Sequence, residues 1–264
     1  IRGLVGSEMC IRDRYLDLHQ YWFGLPSSIF EKFDLCGKRE PMKRILLVLV
    51  MVCGSVVANE YSPKLESYIK KSLSENHLIN TDRKNKLKKL AEAIQHTKNE
   101  NKNINIIFIC THNSRRSHLS QIWAQTAANY FNLEDINTYS GGTESTAFNP
   151  RAVATIRKAG FNVIKTSDSL NPIYLTYFSP HSLPIINFSK IFDQYPNPTK
   201  DFIAVMTCGD ADENCPAVFG ADFRIAITYE DPKKYDNTTN ETSAYDQRCR
   251  QISREFLYLF SLIQ

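Results

Sequence analysis

The spacing of apolar positions changes period several times along the chain, and each change marks an element. Between residues 61 and 98, Leu65, Ile69 and Leu73 recur at every fourth position, and Leu87, Leu90, Ala91 and Ile94 at every third or fourth, with lysine and glutamate between them. That stripe predicts two amphipathic helices packed on a main domain. The polar run Lys98 to Asn103 predicts a loop. Ile104 to Cys110 is almost continuously apolar and rich in β-branched residues, as expected of a strand buried on both faces. Helical spacing returns through Leu119, Ile122, Trp123, Thr126, Ala127 and Tyr130, predicting a helix over 117–131. Further strands are predicted at Ile136–Ser140, Phe161–Ile164, Phe202–Thr207 and Arg224–Thr228. Asn149-Pro150 opens a helix, with proline where its missing N–H costs nothing, and Gly160 stops it. Residues 168–200, dense in Pro, Ser and Asn, predict an irregular insert with little regular structure. A last amphipathic helix over 243–263 carries Ile252, Phe256, Leu259, Phe260 and Ile263 on one face.

Strands alternating with helices imply an α/β fold with a parallel sheet. In such sheets ligands sit beyond the carboxyl ends of the strands. Cys110 stands there, at the end of the first predicted strand.

The first residues follow other rules. Glu8-Met9-Cys10-Ile11-Arg12-Asp13-Arg14 resembles the translated end of a transposon adapter used in sequencing libraries. Residues 1–41 are therefore read as non-native, with the natural start at Met42, and are set aside for fold reasoning. From Met42 the chain reads as a secretory signal peptide over 42–58. Lys43 and Arg44 form the basic end, Ile45 to Val57 the apolar run, and Val56-Val57-Ala58 the cleavage site. The run is too short for a comfortable bilayer span, which takes about 20 residues. An exported, periplasmic protein follows, or a cytoplasmic one if the signal is unused. Residues 59–103 then form a helical extension, and 104–264 the main domain.

Composition narrows the chemistry. The apolar fraction of 42% and charged fraction of 23% are those of an ordinary globular chain. A net charge of +4 over 264 residues, without an arginine-rich stripe, does not point to nucleic acid. Of seven cysteines, only Cys110, Cys208, Cys215 and Cys249 fall in the main domain, too few for a disulfide scaffold.

Between the predicted strand and helix lies Cys110-Thr111-His112-Asn113-Ser114-Arg115-Arg116-Ser117. The first N–H groups of a helix lack intrahelical partners and favour an anion. The thiolate is the nucleophilic form of cysteine, and such a loop is the surrounding it needs. Arg116 can grip two oxygens of a tetrahedral oxyanion with its planar fork. Ser117 can donate a hydrogen bond to the cysteine sulfur, and Asn113 can hold the turn. C-x5-R alone is a weak pattern. C-x5-R-S directly between a buried strand and a helix is a strong one.

The loop resembles that of low-molecular-weight protein tyrosine phosphatases and of the thioredoxin-coupled arsenate reductases that share their fold. The likeness continues through Tyr139-Ser140-Gly141-Gly142 and Asn149-Pro150-Arg151-Ala152-Val153, covering roughly 104–263 except for the 168–200 stretch. Two residues depart from it. His112 stands where the family usually has Gly, and Arg115 where it usually has a second Cys. The resemblance implies a four-stranded parallel sheet flanked by helices, here with an N-terminal helical extension. It implies Cys110 as the nucleophile and Thr111, His112, Asn113, Ser114, Arg115 and Ser117 as the oxyanion loop closed by Arg116. It also makes Asp231 of Asp231-Pro232 the general acid.

The segment Cys208-Gly209-Asp210-Ala211-Asp212-Glu213-Asn214-Cys215 separates the two branches. The resemblance to the reductases implies a shuttle, in which Cys208 and Cys215 carry a disulfide away from Cys110 to a thioredoxin-like reductant. Geometry limits it. Seven steps of regular helix would part the Cα atoms by about 10.5 Å, against the roughly 4.4–6.8 Å of a disulfide, so the segment must be a loop or must unwind. A static disulfide or half of a zinc site are the alternatives, though zinc pairs usually lie closer in sequence. Arsenate reduction without cofactor or metal is the leading expectation. A phosphomonoesterase acting through phosphocysteine, on a phosphate ester or a phosphotyrosine protein, is the alternative. Cys249 reads as a bystander.

Overall fold

The computed structural model describes residues 61–215 and 217–264, within one compact unit spanning Val57–Gln264. The expected non-native segment 1–41 and the expected signal peptide 42–58 lie outside the described residues.

Two helices come first, α1 (Pro63–Ser74) and α2 (Thr81–Asn99). Ser62 caps α1 by accepting from the Leu65 N–H, and Asn80 caps α2 by accepting from Arg83. Their apolar stripes are buried, with Leu65, Ile69, Leu87, Leu90 and Ile94 at or near zero exposure. The predicted helical pair is therefore present and docked. Burying each such side chain contributes roughly 1.5–3 kcal/mol before chain entropy is counted. Ser72 and Ser253 meet hydroxyl to hydroxyl at 2.8 Å, tying α1 to the last helix.

The remaining order is β1 (Ile104–Cys110), α3 (Arg116–Tyr130), β2 (Ile136–Gly142), α4 (Pro150–Ala159), β3 (Asn162–Lys165), β4 (Tyr174–Tyr177), β5 (Ile185–Asn187), β6 (Phe202–Met206), α5 (Gly209–Asn214), β7 (Ala221–Ala226), a 3-10 turn (Pro232–Tyr235) and α6 (Glu241–Phe260). The main sheet has four strands in the order β2-β1-β6-β7, and every pairing is parallel. β1 shows why its sequence does not alternate. Ile106 and Phe108 enter the large core shared with the helices, while Ile107 and Ile109 enter a smaller core with Met206, Cys208 and Ala211. Both faces are covered, so both need apolar residues.

Three expectations are corrected. The predicted strand Phe161–Ile164 is β3, but it leaves the main sheet. The insert 168–200 is not irregular throughout: β4 and β5 pair antiparallel with each other and with β3. The strand expected at Arg224–Thr228 runs over Ala221–Ala226, because its pairing with β6 starts at Phe202↔Ala221.

Glycine is required at two places for different reasons. Gly160 ends α4 in the left-handed conformation, φ 113°. At Gly142 a side chain would stand 2.6 Å from the Thr111 carbonyl oxygen and 2.7 Å from the Asn113 nitrogen. The loop after β1 passes directly over it.

Candidate active site

The carboxyl ends of β1, β6 and β7 converge. The Thr207 N–H donates to the Ile109 carbonyl at 2.7 Å, and the Tyr229 N–H to the Thr207 carbonyl at 3.0 Å. Three functional segments leave from here: the loop from Cys110, the segment from Cys208 and the segment reaching Asp231.

The loop is built around Asn113. Its φ is +42°, a region that asparagine tolerates better than most residues. Its Oδ1 accepts the Lys190 backbone N–H at 2.9 Å, which orients the amide so that Nδ2 donates to Ser117 Oγ at 2.8 Å. Ser117 Oγ lies 3.1 Å from Cys110 Sγ. With one lone pair of that oxygen taken by Asn113, its hydrogen is free to point at the sulfur, the arrangement that a Cys110 thiolate requires. The expected Ser117-to-Cys110 contact is therefore present. Cys110 is 3% exposed. Ser114 anchors the far side, its Oγ donating to the Ala147 carbonyl at 2.7 Å. The His112 carbonyl accepts from both Thr146 Oγ1 and Ser189 Oγ, while its imidazole sits at the rim, 3.6 Å from the Glu144 carboxylate.

Arg115 and Arg116 meet on one carboxylate. Arg115 Nε and Arg116 NH2 each lie 2.9 Å from an Asp231 oxygen. Arg116 NH1 also donates to the Tyr229 carbonyl at 3.1 Å. Asp231 in turn accepts the Lys233 N–H and so starts the 3-10 turn, with Pro232 at its first position. Burial pushes the Asp231 carboxyl up. Arg116, the Lys233 N–H and Arg115 together outweigh it and hold the group below the usual carboxylate range. Arg115, a member of the expected oxyanion loop, places its side chain on Asp231 as Arg116 does.

Cys208 is fully buried beside the loop. Its sulfur is 3.4 Å from Thr111 Oγ1 and accepts the Ala211 N–H, so it caps α5. Cys215 ends the same helix and is partly exposed. Both are free thiols, as is Cys110. Arg224 reaches over from β7 to the Cys215 carbonyl at 3.1 Å and the Asp212 carbonyl at 2.8 Å. The structure thus gives the helical form of this segment rather than the loop. Cys249 is a core residue of α6: Trp123 Nε1 donates to its sulfur, and burial pushes its thiol up to about 11.

Several neighbours of the site were not singled out from sequence. Lys190 is 4% exposed, with its ammonium 4.6 Å from the Phe188 ring, and burial lowers it to about 8. His118 is fully buried with Nδ1 3.1 Å from Ser140 Oγ; burial first and the Lys190 charge second hold it well below the usual imidazole range, hence neutral. Ser189 and Lys190 belong to the insert that read as irregular, and no periodicity marks them. Among the described residues no cluster of His, Cys, Asp or Glu could hold a metal ion.

The model of the low molecular weight phosphotyrosine protein phosphatase family matches residues 105–178. An arsenate reductase of Bacillus licheniformis is 30% identical over 157 residues, 59% of this chain and 94% of that protein. An arsenate reductase of Halalkalibacterium halodurans is 28% identical over 146 residues, 55% of this chain and 86% of its own length. A solved arsenate reductase in a phosphate-binding state is similar at TM-score 0.42 and 18% identity, over 61% of this chain and 99% of that one. The Bacillus relative is matched over nearly its whole length, and this chain accordingly belongs to the enzyme family of low-molecular-weight phosphotyrosine phosphatases and arsenate reductases.

Proposed function

We propose that this enzyme reduces arsenate to arsenite through a relay of three cysteines. The observation that carries the reading is the seat of Cys208: buried, its sulfur 3.4 Å from the hydroxyl of Thr111, the residue next to Cys110, with Cys215 at the other end of a six-residue helix. A phosphatase needs no thiol at that position. The relatives named arsenate reductase support the same choice.

The Cys110 thiolate attacks the arsenic of arsenate held by the loop amides and Arg116. A sulfur–arsenic bond forms and an oxygen leaves as water, protonated by Asp231. Cys208 then attacks the Cys110 sulfur. The sulfur–arsenic bond breaks with its electron pair going to arsenic, giving arsenite and a Cys110–Cys208 disulfide. Two thiols supply the two electrons. Cys215 attacks the Cys208 sulfur, Cys110 leaves as thiolate, and a thioredoxin-like dithiol reduces the Cys208–Cys215 disulfide. Helix α5 must unwind for that last bond, since its geometry keeps its ends too far apart.

Arg115 and Arg116 both pair with Asp231 and hold its carboxyl ionised. An oxyanion held by Arg116 draws that guanidinium away from the carboxyl it keeps ionised, and adds negative charge nearby. Both changes favour the protonated acid. Ligand binding therefore arms Asp231.

One observation favours a second activity. Asp231 stands against Arg116, where a leaving oxygen would be protonated. Phosphate esters, including phosphotyrosine, would then be cleaved through phosphocysteine at the same loop. The test measures arsenate-dependent oxidation of a thioredoxin system and aryl phosphate hydrolysis, in wild type and Cys215→Ser. The relay predicts that the variant loses arsenate turnover and keeps hydrolysis. Equal arsenate turnover in both proteins would sink it.

A further inference from the structure

Helix α2 lies ahead of the domain that carries the site, yet it touches the acid segment. Arg83 Nε and NH2 both lie 2.8 Å from Glu255 Oε2 of α6, and the Glu255 side chain is 3% exposed. The Arg83 guanidinium carbon sits over the Tyr229 ring, 4.6 Å from its centroid. Tyr229 is buried, with its N–H on the Thr207 carbonyl and its own carbonyl accepting from Arg116. Asp231 follows two residues later. Gln251 satisfies the other oxygen of Glu255 at 2.9 Å.

A buried guanidinium–carboxylate pair is a poor way to dock a helix. Desolvation cancels much of its attraction, whereas the leucines and isoleucines of α2 need no such compensation. The pair does fix a ring in position, through charge on one side and the ring face on the other. That ring is part of the segment that aims Asp231 and accepts from Arg116.

We infer that the N-terminal helical pair is a positioning element for the acid, and that Arg83 is its point of action on Tyr229. Arg83 touches neither substrate nor reacting atom. It sets where Asp231 stands when Arg116 turns to the ligand. This rests on the reading of Asp231 as general acid.

Esters with different leaving groups test it, because a good leaving group departs without a proton. The comparison uses kcat/KM for phenyl phosphate and for 2,4-dinitrophenyl phosphate on the full chain. Asp231→Asn is expected to lower the phenyl value about 100-fold or more while changing the dinitrophenyl value only about threefold. Arg83→Met is expected to lower the phenyl value about tenfold and the dinitrophenyl value less than about twofold, and Arg83→Lys to recover most of the loss. If Arg83→Met folds poorly because Glu255 is left unpaired, Arg83→Met/Glu255→Gln must show the same asymmetry. Equal losses on both esters would mean a merely structural Arg83 and would overturn the inference. Asymmetry in Asp231→Asn but not in the Arg83 variants would do the same while leaving the acid assignment standing. No asymmetry in Asp231→Asn, or no hydrolysis of either ester by wild type, would remove the acid assignment and the inference together.

Discussion

The two cysteine-bearing segments at the top of the sheet are held very differently. The loop from Cys110 to Ser117 is tied from several sides: Asn113 by the Lys190 N–H, Ser114 by Ala147, the His112 carbonyl by two hydroxyls, and both arginines by Asp231. The segment from Cys208 to Cys215 is a single short helix capped by a sulfur, with Arg224 clasping its far end. Gly209 has open space where a side chain would be. So short a helix has little stability of its own. Under the proposed relay, the difference separates two tasks. An anion site must keep its geometry throughout turnover, while a disulfide shuttle must change shape once per cycle.

The contrast can be broken most severely at the nucleophile. Cys110→Ser is expected to abolish arsenate turnover and ester hydrolysis alike, whereas Cys215→Ser removes only the first. Survival of either activity in Cys110→Ser would refute the assignment.

Loosening the rigid half comes next. Asn113→Ala puts a less tolerant residue at φ +42° and leaves the buried Lys190 N–H unpaired. A loss of about 2–4 kcal/mol is expected in denaturant unfolding, with kcat/KM falling for every substrate. A change under about 0.5 kcal/mol would show that the loop does not depend on this anchor.

Lys190 offers a pH signature in the same half. Its folded pKa of about 8 lies below its unfolded value of 10.5, so burial disfavours the charged form. Below pH 8 both states are protonated and the full penalty is present. As pH rises from about 8 to about 10.5 the unfolded state holds more protons, and stability increases. Lys190→Met removes that rise. It is expected to stabilise the fold at pH 7 by up to about 3 kcal/mol, the energy of the shift from 10.5 to about 8. An unchanged pH–stability profile between pH 8 and 10 would count against it.

The smallest effect lies in the short helix between Cys208 and Cys215. Arg224→Met releases the Cys215 and Asp212 carbonyls. Amide exchange over 211–215 is expected to quicken about five- to tenfold, roughly 1 kcal/mol of local opening, with little change in global unfolding. Unchanged exchange would mean that Arg224 is not the latch.

Much of this was legible from residue patterns. β1 and the loop after it were readable because a doubly buried strand leaves a continuous apolar run and the anion motif is local in sequence. The helical pair was readable from its stripe. The insert was not, because β4 and β5 are only four and three residues long and carry apolar residues on both faces, so Leu175 and Ile186 alternate with residues too few to set a period. The contact of the Arg115 side chain with Asp231 leaves no trace in the sequence, because only the fold brings the two together from 116 residues apart. Arg83, Ser189 and Lys190 make their contacts between segments far apart in the chain, which leaves no local signal.

In the proposed relay, electrons for the reduction come from Cys110 and Cys208 first and from Cys215 second. One measurement addresses it directly: fully reduced Cys215→Ser receives one equivalent of arsenate, free thiols are capped, and the disulfide is located by peptide mass mapping. The relay predicts an arsenate-dependent Cys110–Cys208 bond with one arsenite released per chain, and a Cys208–Cys215 bond when wild type is treated alike. No arsenate-dependent disulfide in the variant, or one that omits Cys208, would contradict the relay.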